Sequence, residues 1–242
     1  MRDKLKTSLM RKKLYLFPLF VLVFFLFATT SCLNSDNNNE VAVDEVWKAL
    51  NESRFAKVAS DDSFNALSSQ TGYGKVYWQK STEITNVDQG NTVRISVEGR
   101  PEFTDTVVVR YEGWFFDKDE KKVIFDSTEN PSLISTIKYR YGLASSTQPN
   151  YNKATFAVNP RTDGTYTGVY GVIEGWSTLL QDMKVGDERL VCIPQELAYG
   201  GTANTYTPNV TGAPTFTIVP AYTTLWFRVK LYEIIPMKPL NS

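Results

Sequence analysis

The chain has no histidine, two cysteines and four methionines in 242 residues. Without imidazole, the commonest transition-metal ligand, the composition points away from a metal enzyme. It also leaves Cys192 without a base to activate it. Cys192 lies in the apolar run Leu190 to Ile193 and reads as a small buried hydrophobe. A long apolar run is missing as well. The longest, Leu14 to Ala28, covers about fifteen residues, short of the ~20 a spanning helix needs, and Pro18 interrupts it. Charge of one sign is scarce, because 26 Lys+Arg balance 26 Asp+Glu. Removing the six bases and one acid that precede the apolar run leaves 20 against 25, a net charge of about −5. A mildly acidic chain without a basic stripe is not built for nucleic acid.

What is present at the start is a basic flank (Arg2, Lys4, Lys6, Arg11, Lys12, Lys13), an apolar core and small residues before a cysteine. That order predicts a secretion signal over 1–31, with Met10 an alternative start. Thr29-Thr30-Ser31-Cys32 resembles a bacterial lipobox, so cleavage before Cys32 and a lipid on its sulfur are expected. With Cys32 lipidated, no intramolecular disulfide can form. Residues 32–43, rich in asparagine, read as a disordered tether. Such a tail resembles the surface-export signals of Bacteroidetes lipoproteins. The expected location is the cell envelope, lipid-anchored, on the outer membrane and facing either the periplasm or the surface.

Asp44 can cap a helix to about Val58 that offers Trp47, Leu50 and Phe55 to one face. Docking on the rest of the chain, rather than dimerisation, is expected of it. Residues 61–72 read as a loop or a second weak helix, closing an extension over 44–73. The period then changes to two. Strands are expected at Val76–Lys80, Val93–Val97, Val107–Phe116, Val123–Phe125, Thr155–Val158, Glu188–Ile193 and Leu225–Ile235. Gly175 to Met183 alone has helical spacing here, with Ile173, Trp176, Leu179, Leu180 and Met183 on one face and a stop at Lys184–Asp187. The expected class is α+β, an antiparallel sheet curled around one short helix with an N-terminal helical extension. The domain itself spans 74–236, followed by a tail over 237–242. Two long segments, Asn130–Lys153 and Gly201–Thr217, interrupt it.

Seven short motifs follow in order: Val107-Val108-Val109-Arg110-Tyr111-Glu112-Gly113, Phe125-Asp126-Ser127, Val172-Ile173-Glu174-Gly175-Trp176, Met183-Lys184-Val185-Gly186, Ile193-Pro194, Leu197-Ala198-Tyr199-Gly200 and Leu225-Trp226-Phe227-Arg228-Val229. This set resembles the macrolide-binding, FKBP-type peptidyl-prolyl cis-trans isomerases over about Gly74 to Pro236. The resemblance implies a half-barrel wrapped on one helix, with the active pocket between helix and sheet. It implies X-Pro segments of exported polypeptides as partners, macrolides as inhibitors, and no cofactor or metal.

The physics of the reaction agrees. An X-Pro bond rotates over a barrier of ~18–20 kcal/mol because amide resonance must be broken. The twisted carbonyl is less polar, so leaving water favours it over the planar ground state. By the resemblance, Trp176 forms the floor under the proline ring. Tyr111, Phe125, Val172, Ile173 and Phe227 line the walls, with Phe156 beside them. The Ile173 N–H and the Tyr199 hydroxyl donate to substrate carbonyls. Asp126 orients neighbouring groups and faces the twisted carbonyl, with Lys138 or Arg140 as candidate cationic partners. No proton moves, so none of these is a general acid or base. A non-catalytic chaperone or surface binding module is the alternative, and a glycan-uptake component a third.

Overall fold

The computed structural model describes residues 43–84, 99–129, 153–160, 169–207, 211–212 and 214–237. The leader, Cys32, the tether as far as residue 42, the strand expected at Val93–Val97 and the pair Lys138 and Arg140 lie outside them. Among the described residues no helix is long and apolar enough to cross a membrane.

The first element is α1 (Glu45–Ala59), capped by Asp44, whose carboxylate accepts from the Trp47 N–H at 2.9 Å. The helix docks as expected, but of the expected stripe only Trp47 is buried. Its buried residues are Trp47, Asn51, Arg54 and Val58. Leu50 only packs partly against the core, and Phe55 stands half-buried, edge-on to Tyr77 at 5.4 Å. The cause is hydrogen bonding. Asn51 donates to the Trp47 carbonyl and accepts from the Thr224 N–H. Arg54 donates to the carbonyls of Phe116 and Asp117. A polar seam can bury a helix when its groups are paired.

Past α1 comes β1 (Asn65–Ser68), a strand where a loop or weak helix was expected. It pairs antiparallel with β2 (Lys75–Lys80) in register Asn65 to Trp78. Pairing along an open edge, not intrinsic propensity, makes this stretch extended.

The sheet continues with β3 (Thr106–Phe116), β4 (Lys122–Ser127), β5 (Ala154–Ala157), β6 (Glu188–Ile193) and β9 (Leu225–Ile235). Its order is β1-β2-β6-β9-β3-β4, with β5 pairing the first half of β3. All the pairings are antiparallel. Alternation in β9 buries Leu225, Phe227, Val229 and Leu231, and in β3 Val107, Val109, Tyr111 and Phe115. Against that face lies α2 (Glu174–Leu180), which buries Trp176, Leu179 and Leu180. The helix is shorter than the expected Gly175–Met183. Met183 N–H bonds back to Leu180 O at 3.0 Å, a tightened last turn, and Gly186 at φ +92° turns the chain. Met183 is nevertheless fully buried on the expected face.

The segment Gly201–Thr217, expected as loop, contains β7 (Asn204–Tyr206) and the start of β8 (Phe216–Val219), paired as a separate ladder. β-branched threonines at 205 and 217 suit a pleated strand. Cys192 is fully buried, and burial pushes its thiol far above the usual range, so it stays protonated.

Candidate functional site

Between α2 and the concave side of the sheet is a cavity of about 460 Å³. All nine pocket residues expected from the sequence line it: Tyr111, Phe125, Asp126, Phe156, Val172, Ile173, Trp176, Tyr199 and Phe227. The structure adds Pro160, Gly171, Glu174 and Ala198. Glu174 and Ala198 sit inside the motifs, next to Ile173 and Tyr199. Pro160 and Gly171 meet through backbone, since a Cβ on Gly171 would stand 2.2 Å from the Asn159 carbonyl oxygen. No side-chain pattern could announce that contact.

Trp176 is 3% exposed. Three rings stand nearly perpendicular to its indole: Tyr111 at 5.1 Å and 88°, Phe156 at 5.7 Å and 82°, Phe227 at 5.1 Å and 83°. Phe125 meets Phe227 edge-on at 5.5 Å. Edge-to-face contacts of this kind are favourable for aromatic quadrupoles. They also turn the rings into walls around a flat floor. Two glycines make the arrangement possible. A Cβ on Gly113 would lie 2.5 Å from Phe227 Cε1, and one on Gly175 would lie 2.4 Å from Ile193 Cγ2. The first lets the Phe227 ring lie across β3, and the second lets α2 press onto β6.

Polar groups at the rim are few. Asp126, exposed at the end of β4, sits opposite Gly113 and accepts from the Tyr111 hydroxyl at 2.6 Å. Thr128 fixes the Tyr111 backbone, its Oγ1 accepting from the Tyr111 N–H and its N–H donating to the Tyr111 carbonyl, both at 2.8 Å. Burial first, then the facing Asp126 carboxylate, hold the Tyr111 hydroxyl well above its ordinary 10.0. Burial raises the Tyr199 hydroxyl too, partly offset by the Asn204 amide. Both phenols therefore remain O–H donors at neutral pH.

Ile173 caps α2 in an extended conformation, and its carbonyl accepts from Trp176 N–H and Ser177 N–H. Among the described residues its own N–H has no acceptor. Glu174 Oε1 accepts from the Ser69 hydroxyl at 2.7 Å and from the Thr71 hydroxyl, which ties the β1–β2 turn to the rim. The Trp176 indole N–H is buried and has no acceptor among the described residues. The arrangement is an aromatic cup with the Ile173 N–H and the Tyr199 hydroxyl as available donors and two carboxylates, Asp126 and Glu174, the second held by Ser69 and Thr71. It can take a compact apolar ring and orient an adjoining carbonyl, and among the described residues it offers no activated nucleophile.

A family model described as FKBP-type peptidyl-prolyl cis-trans isomerase matches residues 97–232. The FKBP-type 22 kDa peptidyl-prolyl cis-trans isomerase of Escherichia coli is 29% identical over 202 residues, covering 81% of this chain and 75% of that protein. A solved peptidyl-prolyl cis-trans isomerase from Pseudomonas syringae is 19% identical, covering 81% of this chain and 99% of that one, with a TM-score of 0.46. FkpA from Escherichia coli is 23% identical, covering 79% of this chain and 61% of that one, with a TM-score of 0.44.

Proposed function

The chain belongs to the FKBP-type peptidyl-prolyl cis-trans isomerases and rotates X-Pro bonds; we propose that it does so in the cup over Trp176, on exported polypeptides. One observation carries the reading, the meeting of all nine expected residues around a single cavity.

The proline ring lies on Trp176 between Tyr111, Phe156 and Phe227. The carbonyl before it turns out of the amide plane into an environment without bulk water. Twisting removes resonance charge from that oxygen, so desolvation penalises the planar state more than the twisted one. Ile173 N–H and the Tyr199 hydroxyl hold neighbouring carbonyls, and Asp126 keeps Tyr111 oriented while facing the twisted group. Lowering the barrier by ~4–5 kcal/mol would accelerate rotation by three to four decades. No proton is transferred, so raised phenol pKa values serve to keep donors intact rather than to create an acid.

The client class and location rest on the leader, the lipobox-like Thr29–Cys32 and the polar tether. They support an envelope lipoprotein anchored through Cys32 to the outer membrane. Labelling with radioactive palmitate, present in the full chain and lost in Cys32→Ala, tests the anchor. For the activity, refolding of an exported protein limited by proline isomerisation should speed up with protein from Val41 onward. An unchanged refolding rate with correctly folded protein would sink the client assignment.

One observation favours a second reading, a polypeptide-holding chaperone: Tyr170 is 69% exposed immediately beside the lining residue Gly171. Suppression of client aggregation that survives Trp176→Ala would support it.

A further inference from the structure

The helix α1 lies outside the segment matched by the family, yet it touches the two turns that hold the pocket. Trp47 is the centre of that contact. Its indole N–H donates to the Ala221 carbonyl at 3.0 Å and to Thr223 Oγ1 at 3.1 Å. Between those acceptors sits Tyr222, a non-glycine residue at φ +58°, a conformation that persists only where its surroundings impose it. The Tyr222 N–H donates to the Gly200 carbonyl at 2.7 Å, the residue directly after Tyr199. On its other side the Trp47 ring meets Phe115 edge-on at 6.1 Å, and Phe115 stacks on the pocket wall Phe125 at 6.4 Å.

From this geometry we propose that Trp47 is a positioning residue for isomerisation, holding the Tyr222 turn so that the Tyr199 hydroxyl stays aimed into the pocket. The inference rests on the isomerase reading of the cup. Trp47 never reaches substrate; it fixes the backbone that carries a donor, and small displacements of such groups cost rate. Binding of the proline ring depends on Trp176 and stays intact.

The test compares Trp47→Phe, which keeps a ring against Phe115 but removes the indole donor, with Val58→Ala, which loosens the same helix at a buried residue remote from these bonds. Trp47→Phe should lower kcat by roughly five- to tenfold with KM changed less than twofold. Hydrogen exchange at the Tyr222 N–H should quicken in that variant and not in Val58→Ala. Val58→Ala should lower the unfolding midpoint and keep wild-type kcat. Wild-type kcat in Trp47→Phe, or an equal loss in both variants, overturns the proposal. If Trp47→Phe does not fold, Thr223→Val removes one of the two indole acceptors together with the Thr223 hydroxyl's own bond to the Pro220 carbonyl at 2.7 Å, and a wild-type kcat in that variant overturns the proposal. A wild type without activity sinks the isomerase reading and this inference together; an active wild type with an unaltered variant sinks this inference alone.

Discussion

The pocket and the α1 seam use the same materials to opposite ends. Each contains a buried tryptophan, aromatic neighbours and a few polar groups. In the seam most of those polar groups are engaged across the contact. Trp47 bonds two acceptors, Asn51 bonds across to Thr224, and Arg54 bonds two carbonyls of the β3–β4 turn. In the pocket, among the described residues, neither the Trp176 indole N–H nor the Ile173 N–H has an acceptor. A surface that must hold permanently pairs most of its polar groups across the contact, the buried Arg54 Nε being the exception, whereas one that must accept and release a chain leaves donors at its rim open. The comparison separates docking from function within one domain.

The sharpest way to break it is Trp176→Ala. Removing the floor should cost about 3–5 kcal/mol by denaturant unfolding and abolish measurable peptide isomerisation. A folded variant that keeps wild-type rate would move the chemistry out of the cup. Next in size is Asp126→Val, expected to lower kcat/KM roughly tenfold and to cost about 1–2 kcal/mol by leaving the buried Tyr111 hydroxyl unpaired. Tyr111 should then ionise at lower pH than in the wild type, though still above 10.0 because burial remains the larger cause. Spectrophotometric tyrosine titration reads this directly.

A smaller effect concerns pH. Tyr111 and Tyr199 both have folded pKa values above the ordinary 10.0. The unfolded chain thus loses these protons first, and their contribution to stability is complete below pH 10.0 and is lost as pH rises through the raised values. The unfolding midpoint should fall above pH 10, while isomerisation stays level from about pH 6 to 9 in a chain without histidine. A bell-shaped rate profile in that range would place a proton transfer in the mechanism. The smallest effect belongs to Asp44→Ala, which removes the α1 cap and its contact with Lys118. It should slightly lower the unfolding midpoint and leave kcat unchanged, separating loosening of the seam from loss of function.

The pocket was legible because all of its expected residues except Phe156 fall in an ordered set of motifs on alternating strands and one amphipathic helix. Tyr111, Phe227 and Trp176 each lie on the apolar side of their element, so periodicity and chemistry agree. The seam was not legible for the opposite reason. Asn51 and Arg54 read as solvent-facing side chains, and only backbone groups far along the chain, the Thr224 N–H for Asn51 and the Phe116 and Asp117 carbonyls for Arg54, make their burial favourable. β1 escaped because Asn65-Ala66-Leu67-Ser68 has little strand preference of its own and takes its conformation from β2. Pro160 and Gly171 escaped because backbone proximity, not side-chain type, brings them to the rim.

Exchange spectroscopy on an X-Pro peptide at equilibrium tests the central claim most directly. The account predicts that cis–trans exchange accelerates in proportion to added protein, with the cis fraction unchanged, and that Trp176→Ala abolishes the effect. Exchange at the uncatalysed rate in the presence of folded wild-type protein would contradict it.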